Sequence, residues 1–113
     1  MNRYVTDGLL ADMREGKSVL VIAGSRYEAQ YVHHAVVESA NLAGLRVLRA
    51  NGREAIVAPG GGRIDFRSVG AGVRGYAPDV AVLTGGATGA LGENPRLRDD
   101  VWPLLYRAEV IGI

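Results

Sequence analysis

The chain has no cysteine, and phenylalanine, tryptophan and lysine occur once each. Without cysteine there can be no disulfide, no thiol nucleophile and no Cys-ligated zinc. No apolar run approaches the ~20 residues needed to cross a bilayer. The N-terminal stretch MNRYVTDGLLADMREG contains no continuous apolar core of the kind a secretory signal needs, so a cytoplasmic protein is expected. Strong net charge is also missing. At a formal +1, no global field draws the chain onto nucleic acid.

What is present is skewed. Of 13 Lys and Arg side chains, only Lys17 is a lysine. Arginine suits planar, bidentate contacts with phosphate and carboxylate, but the codon usage of a GC-rich genome gives the same bias. With 48% hydrophobic and 22% charged residues, the chain has the composition of a folded domain. Its 113 residues suffice for one core, which predicts a single α/β domain over 1–113.

Taken in order, Thr6 or Asp7 can cap a short helix whose stripe is Leu9, Leu10 and Met13 and whose stop is Gly16. Residues 19–23 (VLVIA) form an unbroken apolar run, the pattern of a strand covered on both faces. Ser25 and Glu28 then match the S-x-x-E capping box of a helix carrying Ala29, Val32, His33, Val36, Val37 and Ala40 on one face. Residues 45–50 read as a strand and Asn51-Gly52 as a turn. Residues 53–58 and 63–68 read as an antiparallel hairpin, with Ile64 and Phe66 on one face and Arg63, Asp65 and Arg67 on the other. A glycine-rich turn holding Arg74 leads to a second buried strand, 80–83. Residues 87–94 read as a glycine-rich loop, 95–106 as containing a helix capped near Asp99, and 109–113 as a last buried-type strand. The alternation predicts a small, partly parallel three-layer sheet with an inserted antiparallel hairpin.

Three stretches imitate phosphate-binding motifs. Gly16-Lys17-Ser18 ends like a P-loop, but it closes a helix and precedes a strand, the reverse of the order that aims backbone amides at a phosphate. Residues 70–75 spell G-x-G-x-x-G, but Tyr76-Ala77-Pro78 and a strand follow where a dinucleotide fold needs a helix. Gly24-Ser25-Arg26 could hold an anion at a helix N-terminus or simply cap that helix. The adjacent His33 and His34 face different sides of their helix and have no partner ligand at metal spacing, so no metal site and no cofactor are expected. Arg53, Arg63 and Arg67 read either as a phosphate-facing strip or, with Asp65 among them, as a solvated mixed-charge face.

Residues 63–86 (RIDFRSVGAGVRGYAPDVAVLTGG), together with VLVIA and the hairpin before them, resemble the segment leading into the Walker B strand of phage terminase large subunits and related helicase-type P-loop ATPases. In that resemblance 80–83 is the Walker B strand, and 110–113 (VIGI) is the strand that follows it. Thr84 and Gly85 stand where the resemblance places an Asp-Glu pair, and the chain shows no Walker A loop. Magnesium binding and water activation need carboxylates there. The resemblance therefore implies a degenerate, non-catalytic ATPase-like core, phage or prophage encoded and working in the host cytoplasm.

Such a chain is expected to act as a protein-interaction, assembly or regulatory module. Arg74 would either form a contact surface with Arg67 and Tyr76 or anchor its own turn. In the resemblance, the P-loop strand lies beside the strand after Walker B. The edge formed by Val110, Ile111 and Ile113 is thus expected to pair with a second copy or a partner protein. The alternative is nucleic-acid binding through Arg26 and the hairpin arginines. A small enzyme using Asp65, Asp79 or Glu93 is a third possibility, but no second acid or His completes a site around them.

Overall fold

The apolar run at 19–23 becomes β1 (Ser18–Ala23), an inner strand of the sheet. The computed structural model describes residues 1–70, 73 and 75–113. Along the chain come α1 (Arg3–Arg14), β1, α2 (Arg26–Ser39), β2 (Arg46–Leu48), β3 (Ala55–Val57), β4 (Arg63–Ser68), β5 (Val80–Leu83), α3 (Gly85–Glu93), α4 (Pro95–Leu105) and β6 (Glu109–Gly112). Among the described residues these are four helices and one six-stranded mixed sheet of order β2-β3-β4-β1-β5-β6. The strands β4, β1, β5 and β6 are parallel, and β2 and β3 extend the sheet as an antiparallel meander from β4.

Alternation along β1 divides the core. Val19 and Val21 face α1 and α2, joining Leu9, Leu10, Met13, Val32, Val36, Ile64 and Phe66. Leu20 and Ile22 face α3 and α4, joining Ala87, Leu91, Val101 and Leu104. Apolar side chains on both faces are the reason β1 reads as a continuous hydrophobic run. His33 is packed inside, edge-on to Phe66 with ring centroids 5.0 Å apart.

Three helices differ from the sequence reading. The first helix begins at Arg3, because the Asn2 side chain accepts from the Tyr4 amide at 2.7 Å and caps it one turn early; Thr6 is buried within it. Residues expected as a glycine-rich loop form α3. The Thr84 hydroxyl caps it by accepting from the Ala87 amide at 3.1 Å, and Ala87 and Leu91 are buried one turn apart. Packing and the cap thus override the poor helix propensity of Gly85, Gly86, Gly89 and Gly92. The last helix is capped by Asn94 rather than near Asp99, with Pro95 at its first position, where a missing N–H costs nothing.

The chain leaves β1 through α2 toward the β4 side, and leaves β5 through α3 and α4 toward β6. The gap between the C-terminal ends of β1 and β5 is therefore the point where successive connections diverge, the place where open α/β sheets leave a crevice.

Candidate functional site

Both helix N-termini at that crevice are closed by the protein's own side chains. Ser25 caps α2, its hydroxyl accepting from the Glu28 amide at 3.1 Å. The Glu28 carboxylate turns back, and its Oε1 accepts from the Gly24 amide at 2.7 Å and from the Thr84 hydroxyl at 2.5 Å. The capping box is therefore present, with its return bond on Gly24 instead of the cap residue. This carboxylate occupies the anion position that Gly24-Ser25-Arg26 offered in the sequence. Close approach explains the glycines here: a Cβ at Gly24 would strike the Gly86 backbone, and one at Gly86 would lie 2.5 Å from Glu28 Oε1. A hollow of about 490 Å³ opens beside this closure, lined by Asn2, Val5, Glu28, Tyr31, Thr84 and Ile113 among others.

A second constellation lies on the α3/α4 face of the sheet, beyond the helices themselves. Asp65 and Arg67 are only 4% and 8% exposed. The sequence reading of a solvated mixed-charge face is therefore corrected. Tyr76 supplies part of the cover: its hydroxyl accepts from Arg67 Nε at 3.0 Å, and the Arg67 guanidinium carbon lies 5.7 Å from its ring centroid. Arg67 further donates through Nη1 to the Glu54 and Phe66 carbonyls, each at 2.8 Å, and through Nη2 to Asp65 Oδ1 at 3.3 Å. Arg63 grips the same carboxylate in a fork, Nε to Oδ2 at 2.9 Å and Nη2 to Oδ1 at 2.8 Å. The bond to Asp65 raises the Arg63 pKa above its ordinary value. An open hollow of about 680 Å³ lies over this row, bounded by Ser18, Leu48, Arg53, Arg63 and Tyr76.

The structure thus brings Arg67 and Tyr76 together, as the sequence suggested, but commits Arg67 to internal bonds. Arg26 is exposed at the start of α2 and shares a small hollow with Glu54 and Arg67. Arg74 and the residues Ala71 and Gly72 of the G-x-G-x-x-G stretch lie outside the described residues. Val110, Ile111 and Ile113 fall on or beside β6, the edge strand, with Val110 45% and Ile113 39% exposed. Asp79 is occupied at the start of β5, accepting from the Ser18 amide at 2.9 Å. Sequence reasoning missed the Glu28–Thr84 contact; its signal was the capping box facing a strand that ends in Thr-Gly-Gly. Among the described residues no group of three or more His, Asp or Glu side chains could hold a metal ion, and no helix is long and apolar enough to cross a membrane.

No family model, curated protein or solved structure matches this chain. The likeness to terminase and helicase ATPases therefore rests on the motifs alone.

Proposed function

We propose that this protein is a non-catalytic relative of the terminase and helicase ATPase core that acts as an assembly module, pairing with a second copy through β6. The edge geometry carries this reading. Glu109 and Ile113 donate their amides to the carbonyls of Asp79, just before β5, and of Leu83, its last residue, each at 2.9 Å. By strand alternation, the backbone groups of Val110 and Gly112 face away from the sheet. A two-fold axis at Ile111 would set Val110 of each copy opposite Gly112 of the other, so that each pair exchanges both of its backbone bonds. Such a contact is isologous and closes as a dimer. It would cover the exposed apolar Val110 and Ile113 side chains, and an uncovered apolar edge is a liability.

One feature supports the non-catalytic half of the reading. Thr84 and Gly85 begin α3 where an ATPase of this kind needs acids, and the Thr84 hydroxyl is already bound to Glu28. The pairing half is supported by the outermost place of β6 in the sheet, the edge position that the resemblance implies for residues 109–113.

Sedimentation equilibrium at tens of micromolar tests the proposal. A dimer is expected, and Val110→Pro, which removes an outward amide and adds bulk at the edge, should give a monomer. A wild-type protein that stays monomeric, or a Val110→Pro variant that still dimerises, would overturn the pairing. Magnesium-dependent ATP hydrolysis by the purified chain would overturn the non-catalytic reading separately.

A further inference from the structure

The charges under the larger hollow do not balance. Asp65 serves two guanidinium groups, those of Arg63 and Arg67, with N···O distances of 2.8 and 3.3 Å. The remaining bonds of Arg67 go to neutral oxygens: the Tyr76 hydroxyl and the Glu54 and Phe66 carbonyls. The Glu54 carboxylate faces the smaller hollow beside Arg26 and forms no ion pair among the described residues. Among the residues that line the larger hollow, Arg63 and Arg67 thus meet one carboxylate, that of Asp65, and leave an excess of one positive charge. The exposed Arg53 lines the same hollow and brings the total to two, counting Arg53, Arg63 and Arg67 against Asp65.

From this we infer that the hollow binds a terminal phosphate dianion. Its charge would match the excess of two, where a carboxylate or a phosphodiester would leave one positive charge unmet. Arg63 is well prepared for the task. The fork to Asp65 fixes the plane of its guanidinium, and its side chain is still 40% exposed, so the Nη1 edge is free to donate. An arginine held this way loses little freedom on binding and offers the geometry phosphate accepts. Arg53, exposed beside the Asn51-Gly52 turn, lines the same hollow. The Tyr76 hydroxyl uses its lone pair on Arg67 and keeps a proton to donate. The dianion could be a free phosphate ester or the phosphorylated end of a nucleic-acid strand. The chemistry recognised is the same.

Nitrogen–proton correlation NMR, observing arginine side-chain Nε–H signals, tests the site with three probes: inorganic phosphate, 5′-phosphorylated oligothymidine and the same oligomer without the phosphate. Saturable shifts at Arg53 and Arg63 are expected with the first two. The double variant Arg53→Ala/Arg63→Ala should weaken them by about 10- to 100-fold, the loss of one or two charge-assisted bonds. Arg96→Ala on α4, which removes one arginine charge elsewhere, should leave binding intact. Comparable shifts with inorganic phosphate and phosphorylated oligomer would assign a free ester. Markedly tighter binding of the phosphorylated oligomer would assign a strand end. Equal binding of the unphosphorylated oligomer, no saturable shift with any probe, or an unaltered double variant would each overturn the site. Because Arg53 and Arg63 are at least partly exposed, the double variant should fold, and its circular dichroism spectrum checks that it has.

Discussion

The Thr84 hydroxyl donates to Glu28 Oε1 at 2.5 Å, joining the N-terminus of α3 to the first turn of α2 across the ends of β1 and β5. One carboxylate oxygen thereby satisfies Gly24 and Thr84 together, and Gly86 has no side chain because that carboxylate lies where a Cβ would be. Glu28→Ala should cost about 1–3 kcal/mol by leaving the Gly24 amide and Thr84 hydroxyl without their acceptor. Gly86→Ala should also destabilise, by forcing the carboxylate aside. The two changes act on the same contact, so their combined loss should fall short of the sum by roughly 0.5–3 kcal/mol. Thermal or urea unfolding of the four proteins measures the coupling, and simple additivity would show that the contact carries little.

The Asp65 cluster gives an asymmetric expectation. Asp65→Ala strips the buried Arg67 of its only anionic partner among the described residues, a change that typically costs ~3–5 kcal/mol. Arg63→Ala removes a half-exposed partner of the same carboxylate and should cost ~1 kcal/mol or less. Urea midpoints of the two variants separate these outcomes. Equal losses would mean that Arg67 is far better hydrated than its 8% exposure indicates.

His33 makes stability depend on pH. Burial lowers its pKa, outweighing the raising effects of the Ala55 carbonyl, 3.4 Å from Nε2, and of Glu54; the neighbouring Arg49 and His34 lower it further. The folded protein therefore holds the ring neutral, while the unfolded chain takes a proton near the ordinary value of about 6.5. The sign follows from linkage. The unfolded state binds more protons below that pH, so stability should be full above about 6.5 and fall as pH drops through it toward the lower folded value. Melting temperatures between pH 8 and 5 should show this fall. His33→Phe, which keeps a ring beside Phe66 and cannot titrate, should flatten the His-dependent part.

These sites show what the sequence makes legible. The two all-apolar strands, the Ser25–Glu28 box and the Asn51-Gly52 turn are local signals, and each marks the element that forms. The face of β4 was readable from simple alternation. The depth of that face was not, because Asp65 and Arg67 are buried by Tyr76 and by neighbouring strands, relations that no local pattern carries. The same holds for α3. Its glycines argue for a loop, and only the Thr84 cap and the burial of Ala87 and Leu91 decide for a helix. The partner of Glu28 lies 56 residues along the chain, and nothing in a capping box points to it.

Placing an acid at the end of β5 tests whether this crevice can take up the metal of a nucleotide, as the proposed ATPase likeness would require of an active site. Thr84→Asp would set a second carboxylate against Glu28, which now receives a proton donor at that point. Like charges in such contact raise each other's pKa and favour a shared proton. A raised folded pKa lowers stability above the unfolded carboxyl value of about 4, so the variant should lose about 1–3 kcal/mol at neutral pH and recover part of it near pH 4. That trend runs opposite to the one His33 imposes on the wild type, so the two are separable in one pH series of melts. If the crevice could serve such a metal, millimolar magnesium would restore the neutral-pH stability of Thr84→Asp by binding between the carboxylates. Magnesium is expected to have no effect, because a single added acid beside a capped helix does not supply the octahedral oxygen set the ion requires.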